Sequence, residues 1–173
     1  VVAGVNGTQA NVIGTVSAEA GAEYNSIDNV SATFTAISDT ISNLTNPAGN
    51  APSANLQDVI DSDGSVDVTV SDLSGTITAT ELSSVGGATS GQVTVTNAVN
   101  ITGTTDQVTA ALVTPASLVV ASSATVALDD NPSIAELNAI AAKTDGVVTA
   151  TLAANSLANL ADLDTASTDV ITI

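Results

Sequence analysis

The chain has 173 residues, 44% of them hydrophobic and 1% aromatic, and a formal net charge of −17 from 18 acidic residues against one cation, Lys143. It has no Cys, Met, Trp or His, which excludes thiol nucleophiles, disulfides, thiolate or imidazole metal sites, and a histidine base. With no Arg to clamp phosphate and so acidic a surface, nucleic acid and anionic membranes are excluded as partners.

The apolar residues are almost all Val, Ile, Leu and Ala, with Tyr24 and Phe34 the only aromatics. Small and β-branched side chains suit thin, regular layers better than one large globular centre. The longest apolar runs, such as ASLVVA at 116–121, are far too short to span a bilayer. VVAGVNGTQA at the start lacks the charged region and long apolar centre of a signal peptide, so the chain reads as a mature product or a section of a longer one.

Taken in chain order, VIGTV at 12–16 and IDNVSATF at 27–34 alternate like strands. NLTNPAGNAPSAN at 43–55 reads as a surface loop. SANLQDVIDS at 53–62 has the spacing of a helix, with Ser53 at its start and Leu56, Val59 and Ile60 on one face. SDGSVDVTV at 62–70 and GTITAT at 75–80 read as strands, and TATELSSVGG at 78–87 as a weaker helix. TSGQVTVT at 89–96, SLVV at 117–120 and SSATVAL at 122–128 are further strands. In SIAELNAIAAKT, Ile134, Leu137, Ile140 and Ala141 share a face behind Pro132, and Ser133 with Glu136 forms a capping box. TDGVVTAT at 144–151 and TDVITI at 168–173 complete the strands.

A phrase recurs along this series. Asp28-Asn29, Asp63-Gly64, Ser90-Gly91 and Asp145-Gly146 each precede a β-like run, at intervals of 35, 27 and 55 residues. The predicted fold is mostly β with a few short helices: an irregular β-solenoid of degenerate strand-turn-helix repeats, with a β-sandwich as the alternative. Asn29, Gly64, Gly91 and Gly146 are expected at the corners. One continuous domain is expected, with residues 1–50 an N-terminal β segment available for assembly contacts and residues 51–173 the repeat region.

ITATELSSVGGATSGQVTVTNAVNITGTTDQVTAAL, 77–112, resembles the repeats of giant cell-surface and secreted proteins of cyanobacteria. Glu81-Leu82, Thr89-Ser90-Gly91 and Ile101-Thr102-Gly103-Thr104 carry the likeness, and residues 131–151 resemble its first half again. The resemblance implies an extracellular, repetitive, structural or adhesive protein, and no catalytic residues.

The strongest metal candidate is DVIDSDGSVD, with Asp58, Asp61, Asp63 and Asp67, because calcium takes several oxygen ligands from such loops. The EF-hand spacing fails, since Val59 stands where the first Asp belongs, and a solvated turn with a strand edge is the preferred reading. Asp129-Asp130 and the Asp162/Asp164 pair are weaker candidates. Paired carboxylates could serve a glycosidase only in a cleft, usually one lined by aromatics, and no enzyme is expected. Lys143, at the end of its helix, complements the helix dipole or bridges to an acidic neighbouring subunit. Sequons at Asn6, Asn29, Asn43 and Asn100 are no more than an Asn- and Thr-rich chain produces by chance.

Strand-like ends and exposed strand edges recruit other strands. The expectation is a structural subunit or repeat unit of an extracellular fibre, sheath or surface layer. It assembles with copies of itself, head to tail or edge to edge, without cofactor and without membrane insertion. The alternative is a calcium-stiffened adhesin stalk or binding module.

Overall fold

The computed structural model describes residues 8–27, 30–154 and 157–173. The elements run β1 (Thr8–Val16), α1 (Ala18–Asn25), β2 (Val30–Asp39), α2 (Ile41–Leu44), α3 (Ala54–Ser62), β3 (Asp67–Val70) and β4 (Thr76–Thr78). There follow α4 (Ala79–Gly86), β5 (Val93–Val95), β6 (Asn100–Gly103) and α5 (Thr105–Val108), which continues into a π-helical turn at Thr109–Val113. A short 3-10 turn leads to β7 (Val119–Val120), then β8 (Thr125–Leu128), α6 (Ile134–Ala141), β9 (Val148–Thr151), α7 (Leu157–Leu160) and β10 (Val170–Thr172).

These strands form two five-stranded sheets, ordered β1-β2-β3-β5-β7 and β10-β9-β8-β6-β4. Every strand pair within them is parallel. In the first sheet Val68, Val93 and Val119 align, at sequence intervals of 25 and 26. In the second, Ile77, Ile101, Val126 and Val148 align, at intervals of 24, 25 and 22. Between β3 and β8 the chain visits the two sheets in turn, with a helix on each return to the first sheet, whereas β1 to β3 and β8 to β10 each stay within one sheet.

This overturns the predicted mostly-β solenoid of degenerate repeats, and the sandwich with it. The fold is α/β, 34% helix and 26% strand, with two exclusively parallel sheets. The physical reason lies in the connections. Parallel neighbours cannot be joined by a hairpin; they need a crossover of about a dozen residues or more, usually helical. Sandwiches of the expected kind are built from antiparallel strands. The helices also begin at strong local signals. Ser53 accepts the Leu56 N–H at 3.2 Å, and full capping boxes pair Thr78 with Glu81, Thr104 with Gln107 and Ser133 with Glu136. Residues 1–50, expected as a β segment, contain α1 and α2 as well as β1 and β2.

The core is aliphatic. Ile37, Leu44, Leu56, Ile77, Leu82, Ile101, Leu137 and Ile140 are its largest fully buried side chains, and Phe34 its single buried aromatic. Alternation sets the faces: in β9, Val148 and Ala150 point inward while Thr149 and Thr151 face solvent. Buried residues from Ala18 to Leu152 form one continuous cluster. Each fully buried Val, Leu or Ile contributes about 1.5–3 kcal/mol of transfer free energy. Close approach shapes this core too: Gly21 of α1 lets the helix settle against Val59 and Ile37, where a Cβ would meet the Val59 methyl at 2.6 Å.

Candidate functional site

The structure does not bring the four predicted calcium ligands together. Asp58 and Asp61 lie on the exposed side of α3, and Asp61 accepts a bond from Gln57 at 2.7 Å. Asp63, at the C-cap of α3, accepts the Phe34 N–H at 3.2 Å and the Ser65 hydroxyl at 2.9 Å. Asp67 opens β3 and accepts the Gln92 N–H at 2.7 Å. Among the described residues no three carboxylates are grouped to hold a metal ion.

Asp63 and Asp67 instead belong to a recurring device that the sequence reading missed. Asp39 accepts the Ala18 N–H, Asp72 that of Ile41, Asp130 that of Thr105 and Asp169 that of Val148. Each of these carboxylates bonds a backbone amide 21 to 31 residues away in sequence, beyond the end of a neighbouring strand or helix start. Such charge-assisted bonds satisfy amides that the ladders leave open and fix the register of successive layers. Asp130 shows the electrostatic consequence. The Thr105 hydroxyl, at 2.5 Å, and the Thr105 N–H hold its carboxyl below the usual carboxylate value. Glu136 is lowered in the same way by the Ser133 hydroxyl and N–H of its capping box.

A second device explains two of the predicted corners. In Thr89-Ser90-Gly91 the Thr89 hydroxyl donates to the Val66 carbonyl at 2.7 Å and accepts the Gly91 N–H at 2.9 Å. In Thr144-Asp145-Gly146 the Thr144 hydroxyl donates to the Ala124 carbonyl and accepts the Gly146 N–H at 3.0 Å. At both glycines a Cβ would collide with the backbone of the preceding layer. Gly64 is different, since a Cβ there would meet only the Ile60 carbonyl, at an ordinary 3.6 Å. Asn29 and Asn6 lie outside the described residues. Asn43 donates to Asp39 at 2.7 Å, and Asn100 sits in β6, accepting from Thr125 at 3.0 Å.

The sheet edges are the other surface feature. β1 and β7 bound the first sheet, β4 and β10 the second, each with a strand neighbour on one side among the described residues. Apolar side chains stand exposed along two of them: Leu118 (43%) and Val120 (39%) at β7, Val170 (53%) and Ile173 (63%) at β10. Lys143 falls one residue past the C-cap of α6, at Ala142, and lines a shallow cavity of about 190 Å³ beside β7. A larger groove of about 620 Å³ lies between the start of α6 and the segment around Asp162. Asn138 staples that groove shut at one end, donating to the Asp162 carbonyl and accepting the Asp164 N–H, both at 2.9 Å. Asp162 and Asp164, weighed above as ion ligands, thus contribute backbone atoms here. Asp129, beside the hook residue Asp130, is exposed, and its N–H donates to the Gly103 carbonyl at 3.0 Å.

The arrangement offers ordered layers and open, apolar-flanked edges, and six of its carboxylates bond distant backbone amides. No helix of the described residues is long and apolar enough to cross a membrane. No protein family model matches the chain, and no curated protein and no solved structure matches it.

Proposed function

We propose that this chain is a structural subunit of an extracellular fibre, sheath or surface layer, and that it polymerises with copies of itself through its sheet edges. The observation that carries the reading is the parallel sheet bounded by β1 and β7, in which both end strands are bonded on one side only among the described residues. An open edge is a template for a further strand. In a parallel sheet the incoming strand must run the same way, which a head-to-tail translation of one copy onto the next provides. The carboxylate and threonine hooks serve this role by locking successive layers, so that the edge is presented in a fixed register. The charge of −17 keeps finished polymers apart and hydrated. The likeness of residues 77–112 to cyanobacterial cell-surface repeats points the same way.

The test is negative-stain microscopy and sedimentation of the purified chain over a concentration series. Filaments or sheets, with mass rising with concentration, are expected. A chain that stays monomeric at high concentration, in calcium and in chelator, refutes the reading.

A further inference from the structure

We infer that the joint between copies is the free edge of β7, and that its occupant is β1 of the next copy; this rests on the polymer reading above. Val93 donates its N–H to the Leu118 carbonyl at 3.1 Å. In a parallel ladder, alternate residues of a strand face opposite neighbours, so the N–H and C=O of Val119 point away from β5. A shallow cavity beside β7 is lined by Leu112, Pro115, Leu118, Val120 and Lys143.

The identity of the occupant follows from register. Val16 aligns with Ile37, Ile37 with Val68, Val68 with Val93 and Val93 with Val119. This is one inward column of aliphatic side chains, buried at its centre and partly open at Val16. Translating a second copy by one strand past β7 sets its Val16 beside Val119 and extends the column unchanged. The next residue pair is then Ser17 of the incoming copy beside Val120. The charges agree. The face of β7 carries the chain's single cation, while the helix that follows β1 carries Glu19 and Glu23 and no cation.

The second sheet is a poorer joint. Its β4 end is flanked by the α2 segment, held there by the Ile41 N–H on Asp72 at 2.7 Å and by Gly49 against Glu81. A head-to-tail contact through β4 and β10 would have to displace that segment.

Adjacent strands lie about 4.8 Å apart, within the Cα separation of about 4.4–6.8 Å that a disulfide accepts. The chain has no Cys of its own, so the Ser17→Cys and Val120→Cys variants can be mixed under oxidising conditions. A disulfide joining position 17 of one variant to position 120 of the other, mapped by mass spectrometry, is expected to dominate the mixture. Because Ser17 caps α1, a second variant tests the same joint without touching a cap. Val120→Lys is expected to reduce the polymer fraction while leaving the melting curve of the chain unchanged. Polymers that form without the mixed disulfide, and that tolerate Val120→Lys, overturn this joint and leave the polymer reading standing. A wild-type chain that never polymerises overturns both.

Discussion

The hydroxyl of Thr89 donates a buried hydrogen bond of 2.7 Å to the carbonyl of Val66, 23 residues earlier, while accepting the Gly91 N–H. One side chain thus satisfies two backbone groups in different layers. Removing it strands both. Thr89→Ala or Thr89→Val is expected to destabilise the fold by about 2–3 kcal/mol, the cost of leaving buried polar groups unpaired. Thr89→Ser keeps the hydroxyl and loses far less. Urea denaturation followed by circular dichroism checks this. A Thr89→Val variant as stable as wild type, with the loss appearing only in Thr89→Ser, would show that the methyl, and not the hydrogen bonds, matters.

Gly64, Gly91 and Gly146 look alike in the sequence and differ in the structure. Gly91 and Gly146 lie where a Cβ would run into the carbonyls of Val66 and Ala124, rigid backbone that cannot step aside. Gly91→Ala and Gly146→Ala are expected to cost upwards of about 2 kcal/mol through overpacking. Gly64→Ala, with ordinary contacts and no left-handed φ, is expected to stay within about 0.5 kcal/mol of wild type. Melting temperatures of the three variants separate the cases, and a Gly64→Ala loss as large as the other two would contradict it.

What the sequence discloses divides along the same line between local and distant causes. The helix at Leu56, Val59 and Ile60, and the capping box of Ser133 and Glu136, are local patterns and stand where their residues place them. α1 escaped the sequence reading because its buried residues are Ala18 and Gly21, too small to mark an apolar face. α5 was hidden in a Thr-rich run, although Thr104 and Gln107 are a capping signature that could have revealed it. Strand direction is set by partners some 25 residues away, as Val68 and Val93 are, and alternation along one strand carries no trace of it. The bonds of Asp63 and Asp67 are hidden for the same reason, since the amides they accept belong to Phe34 and Gln92.

Leu118 adopts φ 50°, a left-handed conformation that costs a branched side chain roughly 1–2 kcal/mol. The strain aims its carbonyl at the Val93 N–H and starts β7 in the right direction. Leu118→Gly is expected to raise stability by about 0.5–1 kcal/mol, with the gain offset in part by the greater freedom of glycine in the unfolded chain. Thermal unfolding at low protein concentration, where copies do not associate, measures it. A clear drop in stability would mean that the half-exposed Leu118 side chain contributes more by packing than it costs by strain.

The hooks also fix a pH dependence. The Thr105 hydroxyl and N–H lower the folded value of Asp130, and Ser133 lowers that of Glu136. A carboxylate depressed in the folded state stabilises the fold above its unfolded value, about 3.9 for Asp and 4.3 for Glu, and that stability is lost as pH falls through the folded value. Both groups are solvent-exposed, so screening keeps the effect small. The contribution of Asp130 and Glu136 is therefore expected to be present in full at pH 7 and to be lost progressively below about pH 4, as pH falls toward their folded values. Asp130→Asn keeps an acceptor for Thr105 but not the charge, so it should melt below wild type at pH 7 and converge with it under strong acid. Melting curves of the two proteins from neutral pH downward decide the matter: curves that run parallel throughout would mean that the Asp130 charge adds nothing to the hook.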